Sequence, residues 1–378
     1  MTALLNILLL DCAPFTGGAQ ESFWTLATHL PPDICRPLLM TADVTPDGLA
    51  ERAALQSFPY RPFTARHWPA SLKGLLQYYQ DSHRFQLLFD KIVADFQPAI
   101  IHANCIRSAL LLPSDCRLPI LLHDRDGAFP FFITRLVANR FHNLHVIAIS
   151  PPVAEKWRPL LPDDHIHVIP NGFDLNAIAA TPPAMKNDSA TFRLLQVADF
   201  SPWKRHDQFL SLLVKLKPQI PNMKAVIKGR IRDQQGERLL NDLKQTASKL
   251  GLDDILTFNT ADESALPEIA ATDVVVSCSD GEPFGRVIIE ALALGKPVVA
   301  CRGGGLDALL ANCPAFMAVP SEKLQDAVLQ WLPVKKRQAV APQAIRAAQA
   351  FSIERHVAEI TGIYNNITYV NSSKSLEH

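Results

Sequence analysis

Hydrophobic positions along this chain follow two rhythms. Short, nearly continuous apolar runs alternate with longer stretches in which apolar side chains recur every three or four residues. The first of each is clean: Leu5 to Leu10 predicts a buried strand, Cys12 to Gly18 a loop, and Ala19 to Leu30 a helix burying Phe23, Leu26, Ala27 and Leu30. Further strands are expected at Arg36–Met40, Ala99–His102, Pro119–His123, Val146–Ser150 and His165–Ile169. Strands that alternate with helices in this way predict a parallel α/β architecture.

A polar, proline-containing stretch after Pro170-Asn-Gly-Phe-Asp174 and up to Thr191 reads as a linker. The alternation then restarts, with strands expected at Phe192–Val197, Lys224–Ile227, Ile255–Phe258, Asp273–Ser277 and Pro297–Cys301. Two doubly wound domains joined near residue 175 account for this pattern. The first spans 1–175 and the second 176–350. A helical segment over 351–375 is expected to pack back toward the first domain. Residues 376–378 read as the remnant of a purification tag.

Composition narrows the classes of partner. Of 378 residues, 48% are hydrophobic and 20% charged, a balance that supports folded cores rather than disorder. Lys+Arg equals Asp+Glu at 37 each, so no global positive field exists to hold nucleic acid. Seven cysteines stand without a C-x-x-C pair and read as free thiols of a reducing compartment, not as a disulfide frame or a zinc site. The apolar run at Leu4–Leu10, broken by Asn6, is too short for a signal-peptide core or a membrane span. A cytoplasmic location is the expectation, with peripheral contact at the inner membrane face left open.

Candidate chemistry concentrates in residues 273–301, which read strand, loop, helix, strand. The loop Ser279-Asp-Gly-Glu-Pro283 leads into a helix expected to begin near Phe284, with Pro283 in its first turn, and to stop at Gly295. A helix start behind a strand's carboxyl end presents free amides and a positive dipole end, an arrangement suited to a diphosphate. Glu282 and Glu290 are eight positions apart, which a continuous helix would turn into about 10 Å. On spacing alone they are equally two dipole-favoured or solvated glutamates or two ligands for sugar hydroxyls.

This segment, Glu282-Pro-Phe-Gly-Arg-Val-Ile-Ile-Glu290, with A-L-A-L-G-K-P-V-V-A and Gly303-Gly304-Gly305-Leu306-Asp307 behind it, resembles the retaining GT-B glycosyltransferases of family 4. The resemblance implies two Rossmann-like domains facing each other across a cleft, the first for acceptor and the second for donor. It implies that Glu282 contacts the donor sugar, Glu290 the ribose, and the amides around Pro283, Phe284 and Gly285 the phosphates. Gly17-Gly18 looks like the family's glycine loop, and His123 stands where the family's H-D histidine hydrogen-bonds the sugar, with Asp124 beside it. Ser201-Pro-Trp-Lys204 resembles its phosphate clamp, but Asp199 occupies the position of the clamp's arginine. Asp199 must therefore turn away, or Arg205 or another cation must offset it. Arg230 follows the next strand and can meet phosphate or solvent. Asn259 and Thr260 lie where the family places the nucleobase, and Pro170–Asp174 resembles its hinge. Phe58–Lys91, with Tyr60, Arg61, Phe63, Arg66, His67, Trp68, Lys73 and Arg84, would border the acceptor side in this fold, but core aromatics with a solvated basic edge are the favoured reading of the stretch.

The activity implied is retaining, front-face transfer of a hexose-type sugar from a nucleotide diphosphate, UDP- or GDP-linked, to a saccharide, lipid-linked or small-molecule hydroxyl. No metal and no cofactor is expected, and no Asp-x-Asp stands where a metal-dependent transferase places one. A nucleotide-sugar epimerase of the same fold and a non-catalytic nucleotide-sugar binder remain as alternatives. A dinucleotide oxidoreductase is disfavoured because Gly17-Gly18 lacks G-x-G-x-x-G.

Overall fold

The computed structural model describes residues 4–13, 16–42, 48–64, 72–125, 129–184 and 190–374. Arg66, His67, Trp68, Asp126, Gly127, residues 185–189 of the expected linker and the terminal 376–378 lie outside them. The chain forms two compact units. Unit 1 contains residues up to Phe173 together with those from Ile353 onward, and unit 2 runs from Asp174 to Ser352.

Unit 1 is built on seven parallel strands: β1 (Leu5–Asp11), β2 (Cys35–Ala42), β3 (Tyr60–Phe63), β4 (Ile100–Ala103), β5 (Ile120–Asp124), β6 (Leu144–Ala148) and β7 (Ile166–Val168). Their order is β3-β2-β1-β4-β5-β6-β7. Successive side chains of a strand point to opposite faces, and β1 shows the consequence. Ile7 and Leu9 enter one apolar cluster, while Leu8 and Leu10 enter another on the opposite face. Covering both faces is what makes an unbroken apolar run stable as a central parallel strand. The helix Ile353–Lys374 covers the first face, packing Ile353, Val357, Ile360, Tyr364 and Ile367 beside Phe23 and Leu26.

Unit 2 has six parallel strands: β8 (Phe192–Val197), β9 (Met223–Lys228), β10 (Leu256–Asn259), β11 (Val274–Ser277), β12 (Val298–Cys301) and β13 (Phe316–Val319), ordered β10-β9-β8-β11-β12-β13. Strand order reverses between β1 and β4 in unit 1 and between β8 and β11 in unit 2. Open α/β sheets bind ligands at the carboxyl ends of the strands beside such a reversal.

Three local expectations are corrected. Residues Leu175–Ala179, read as linker, form a helix whose Asp174 cap accepts from the Ala177 amide at 2.9 Å. Two edge strands, β3 and β13, escape the hydrophobic pattern. β3 contains Pro62, tolerated because an edge strand need not donate on its outer side. β13 is only four residues long and mostly half-buried. Among the described residues no helix is long and apolar enough to cross a membrane.

Candidate active site

In unit 2 the switch point brings two loops into contact. Ser201–Lys204 follows β8 and Cys278–Gly285 follows β11. The Asp280 amide donates to the Trp203 carbonyl at 2.9 Å, tying loop to loop. The Lys204 ammonium lies 2.6 Å from Glu282 Oε2, with side chains only 16% and 18% exposed, and 3.8 Å from the centre of the Trp203 ring. Buried Gln196 holds the lysine's backbone, its amide donating to the Lys204 carbonyl at 3.0 Å. Lys204 and Glu282 are thus one ion pair in the free protein.

The turn carrying Glu282 depends on glycine. Gly285 has φ of +90°, and a Cβ there would stand 2.9 Å from Ile288 Cδ1 and 3.2 Å from Glu282 Cγ. Left-handed backbone of this kind cannot belong to an α-helix, so the helix begins at Arg286 and runs to Ala293. This corrects the expected start at Phe284, and Pro283 lies outside the helix. Only positions 286–290 of the stretch between the two glutamates are helical, so the continuous-helix spacing of Glu282 and Glu290 does not apply. The stop at Gly295, φ +69°, agrees with the sequence expectation. The Gly305 amide donates to the Glu282 carbonyl at 2.7 Å, while Asp307 accepts from the Gly303 amide at 2.7 Å. Glu290 lies 3.3 Å from Arg286 across one helical turn. The Ile288 amide donates back to the Gly285 carbonyl at 3.0 Å, and the positive dipole end of Arg286–Ala293 faces out of the helix start.

Asp199 does not turn into empty space. Its carboxylate lies 2.9 Å from Arg232 Nε and 3.7 Å from Arg230 Nε, and the Arg230 amide also donates to it at 3.4 Å. Arg205, offered as the compensating cation, pairs instead with Asp207 at 3.0 Å. Arg230 also reaches Asp262 at 3.4 Å. The Asn259 side chain is committed locally: it donates to Glu268 at 2.9 Å and accepts from the Ala261 amide at 3.0 Å. Thr260 is exposed at the end of β10.

Unit 1 presents a different surface at its own switch point. The Gly17 amide donates to Gln20 Oε1 at 3.1 Å, and Gln20 Nε2 donates to Asp11 at 3.2 Å. Asn104 donates to the same carboxylate oxygen at 2.8 Å. Arg125 Nε then donates to Asn104 at 2.6 Å, its Nη1 to Asn171, and its Nη2 to His123 Nδ1 at 3.1 Å. This buried chain of bonds links the glycine loop, His123 and Asn171. Gly17 is extended, not left-handed, and Gly18 opens the helix.

The network decides the chemistry of His123. A guanidinium only donates, so Nδ1 must accept and the proton of the neutral ring sits on Nε2. Burial, then Arg125, then His102 and His356 push the His123 imidazole well below its ordinary pKa, which keeps it neutral. Its Nε2 is buried and has no hydrogen-bond partner among the described residues. An unpartnered buried donor carries a desolvation cost that a ligand oxygen would relieve. Asp124, by contrast, accepts from Trp157 Nε1 at 2.9 Å and is fully buried. Phe63 is likewise core, 5.1 Å from Phe85.

Two family models divide the chain between them, "Glycosyltransferase Family 4" over residues 16–177 and "Glycosyl transferases group 1" over 181–347. The chain belongs to the group 1, family 4 glycosyltransferases. A mannosylfructose-phosphate synthase of Agrobacterium fabrum is 33% identical over 184 residues, 45% of this chain and 40% of that protein. A lipopolysaccharide core biosynthesis glycosyltransferase of Rhizobium meliloti, LpsE, is 27% identical over 269 residues, 68% and 74% of the two chains. This chain spans about two-fifths of the length of the first of these curated relatives. Among solved structures, HepE of Anabaena superposes with a TM-score of 0.76 at 23% identity, over 96% of this chain and 100% of that one. That likeness shows the shared fold.

Within the family pattern, residue types alone pointed to Lys204, Glu282, Glu290 and His123. They did not point to Arg125, Asn104, Gln20, Asp11 and Asn171, or to Arg232 and Arg286. Single polar residues at strand ends carry no motif, and their partners lie up to 93 positions away. Among the described residues no three His, Cys, Asp or Glu side chains converge on a metal position.

Proposed function

We propose that this protein is a retaining glycosyltransferase that moves a hexose-type sugar from a nucleotide diphosphate to a hydroxyl acceptor. The observation that carries the reading is the Lys204–Glu282 pair at the unit 2 switch point, beside the open start of the helix Arg286–Ala293. The cation and the helix amides suit a diphosphate, the carboxylate suits sugar hydroxyls, and Glu290 suits the ribose. HepE has been crystallised with UDP and with UDP-glucose, which supports a UDP-sugar as the first donor to try. The lipopolysaccharide-core relative supports a saccharide acceptor.

In the proposed reaction the bond from the anomeric carbon to the diphosphate breaks as the acceptor oxygen bonds to that carbon on the same face. A diphosphate oxygen takes the acceptor's proton. Lys204 and the helix start stabilise charge growing on the leaving group, the largest contribution expected of a preorganised site. Binding must first draw Lys204 from Glu282, freeing the carboxylate for the sugar. His123 offers its Nε2 proton to a substrate oxygen.

A thermal-shift screen of UDP-, GDP-, ADP- and dTDP-sugars tests binding, because a ligand selective for the folded state raises its melting temperature. Glu282→Gln then tests the carboxylate. Turnover is expected to fall about 10²–10³-fold, while UDP alone binds at least as tightly, since Lys204 is released. Unchanged turnover, or no shift with any nucleotide sugar, would sink the proposal.

A further inference from the structure

Both sheets end in facing cysteines. The parallel register of β11 and β12 pairs Val275 with Val298, Val276 with Val299 and Ser277 with Ala300, so the next step sets Cys278 opposite Cys301. In unit 1, β1 and β4 pair Leu10 with Ala103, and two steps further stand Cys12 and Cys105. Neighbouring strands lie about 4.8 Å apart, within the roughly 4.4–6.8 Å between Cα atoms that a disulfide bridges. In each pair the two side chains lie close enough to shift one another's ionisation, and all four cysteines are free.

The pair in unit 2 is graded for attack and resolution. Cys278 is buried at 1% exposure and Cys301 is partly exposed. Cys278 beside it lowers the Cys301 pKa, burial opposes this, and Arg205 lowers it further against Asp280 and Glu322; the Cys301 Sγ also lies 3.4 Å from Gln208 Oε1. Cys301, with burial, pushes the Cys278 pKa well up. The more reachable thiol of the two is therefore the one that ionises more readily, and it stands across the strand pair from a shielded thiol. In unit 1 the grading is similar, Cys105 lowered and Cys12 raised, but there the Asp11 carboxylate acts against ionisation of both thiols.

We propose that Cys278 and Cys301 form a two-electron redox site, a dithiol that a hydroperoxide closes to a disulfide. The Cys301 thiolate attacks one peroxide oxygen; the S–O bond forms, the O–O bond breaks, and the other oxygen leaves with a proton as water or alcohol. The Cys278 sulfur, losing its proton, then attacks the Cys301 sulfenic acid. The S–S bond forms and the S–O bond breaks, and the departing hydroxide takes the Cys278 proton as water. Two thiols are oxidised by two electrons and one peroxide is reduced by two. The bond would join the roots of the loop carrying Glu282 and the loop carrying Gly305, already linked by the Gly305–Glu282 hydrogen bond. This chemistry stands apart from sugar transfer, and its test reads thiols rather than turnover.

The full chain is treated with hydrogen peroxide, alkylated, digested without reductant and mapped by mass spectrometry. The peptides of Cys278 and Cys301 are expected to appear linked and lighter by two hydrogens, and to separate with dithiothreitol. In Cys278→Ser, Cys301 is expected to stop at a sulfenic acid that dimedone traps, with no link. The proposal is overturned if both thiols stay alkylatable after peroxide, or if Cys301 passes to a sulfinic acid in the wild type. It is also overturned if Cys12 and Cys105 link faster.

Discussion

At the scale of single residues, the site rests on positions whose importance comes from what they touch. Lys204 and Glu282 were legible in the sequence because the motif names their types, but their direct pairing was not, since the two positions come from loops 78 residues apart. Asp199 is the sharper case. Sequence reasoning saw a lost arginine, and the structure shows the carboxylate holding Arg232 and Arg230 at the same sheet edge. Gly285 shows how a residue without a side chain controls one that has chemistry. Gly285→Ala would put an L residue at φ +90° with its Cβ against Ile288, a cost of about 1–3 kcal/mol from the backbone alone. Chemical denaturation should register that loss. Nucleotide-sugar affinity should drop with it, because Glu282 Cγ is the other close neighbour; a variant of wild-type stability and affinity would show that the turn is not strained.

At the scale of elements, the buried strands were the most readable feature. β8 was read to the residue, and the other central strands to within one or two positions, because a strand covered on both faces must be apolar throughout. The edge strands β3 and β13 lack that constraint and were missed. The last helix of unit 1, Ile353–Lys374, depends on a contact that no periodicity reveals. Its His356 Nδ1 donates to the Pro170 carbonyl at 2.7 Å, and its Cβ would lie 2.6 Å from a Cβ on Gly172. Gly172→Ala should therefore push this helix from its seat and lower unit 1 stability by about 1–3 kcal/mol. Limited proteolysis near residue 353, faster in the variant than in wild type, would be the sign of it; equal rates would count against the close approach.

At the scale of the whole molecule, the fold hides imidazoles in unit 1. Burial, foremost, then Arg125, pushes His102 and His123 well below their ordinary range and His356 to about 3. Burial and its stacked neighbours His165 and His167 take His145 to about 4. An unfolded histidine titrates near 6.5, so between that pH and 3 to 4 the unfolded chain binds more protons than the folded one. Stability from these groups is present above about pH 6.5 and is lost as pH falls through that window. Melting temperature measured from pH 7.5 to 5 should fall steadily; a flat profile would mean that the imidazoles reach solvent. The sequence alone determined that the chain is two parallel α/β units and that residues 281–299 carry a donor-type motif, because periodicity and local motifs are properties of neighbouring residues. Which side chains meet is a property of strand order. The tertiary structure alone decided that Lys204 pairs with Glu282, that Arg125 sets the proton on His123, that Asp199 is held by two arginines, and that cysteines 278 and 301 face each other. Apart from Arg125, which follows His123 at the end of one strand, each of these contacts joins carboxyl ends of strands that only the sheet brings side by side.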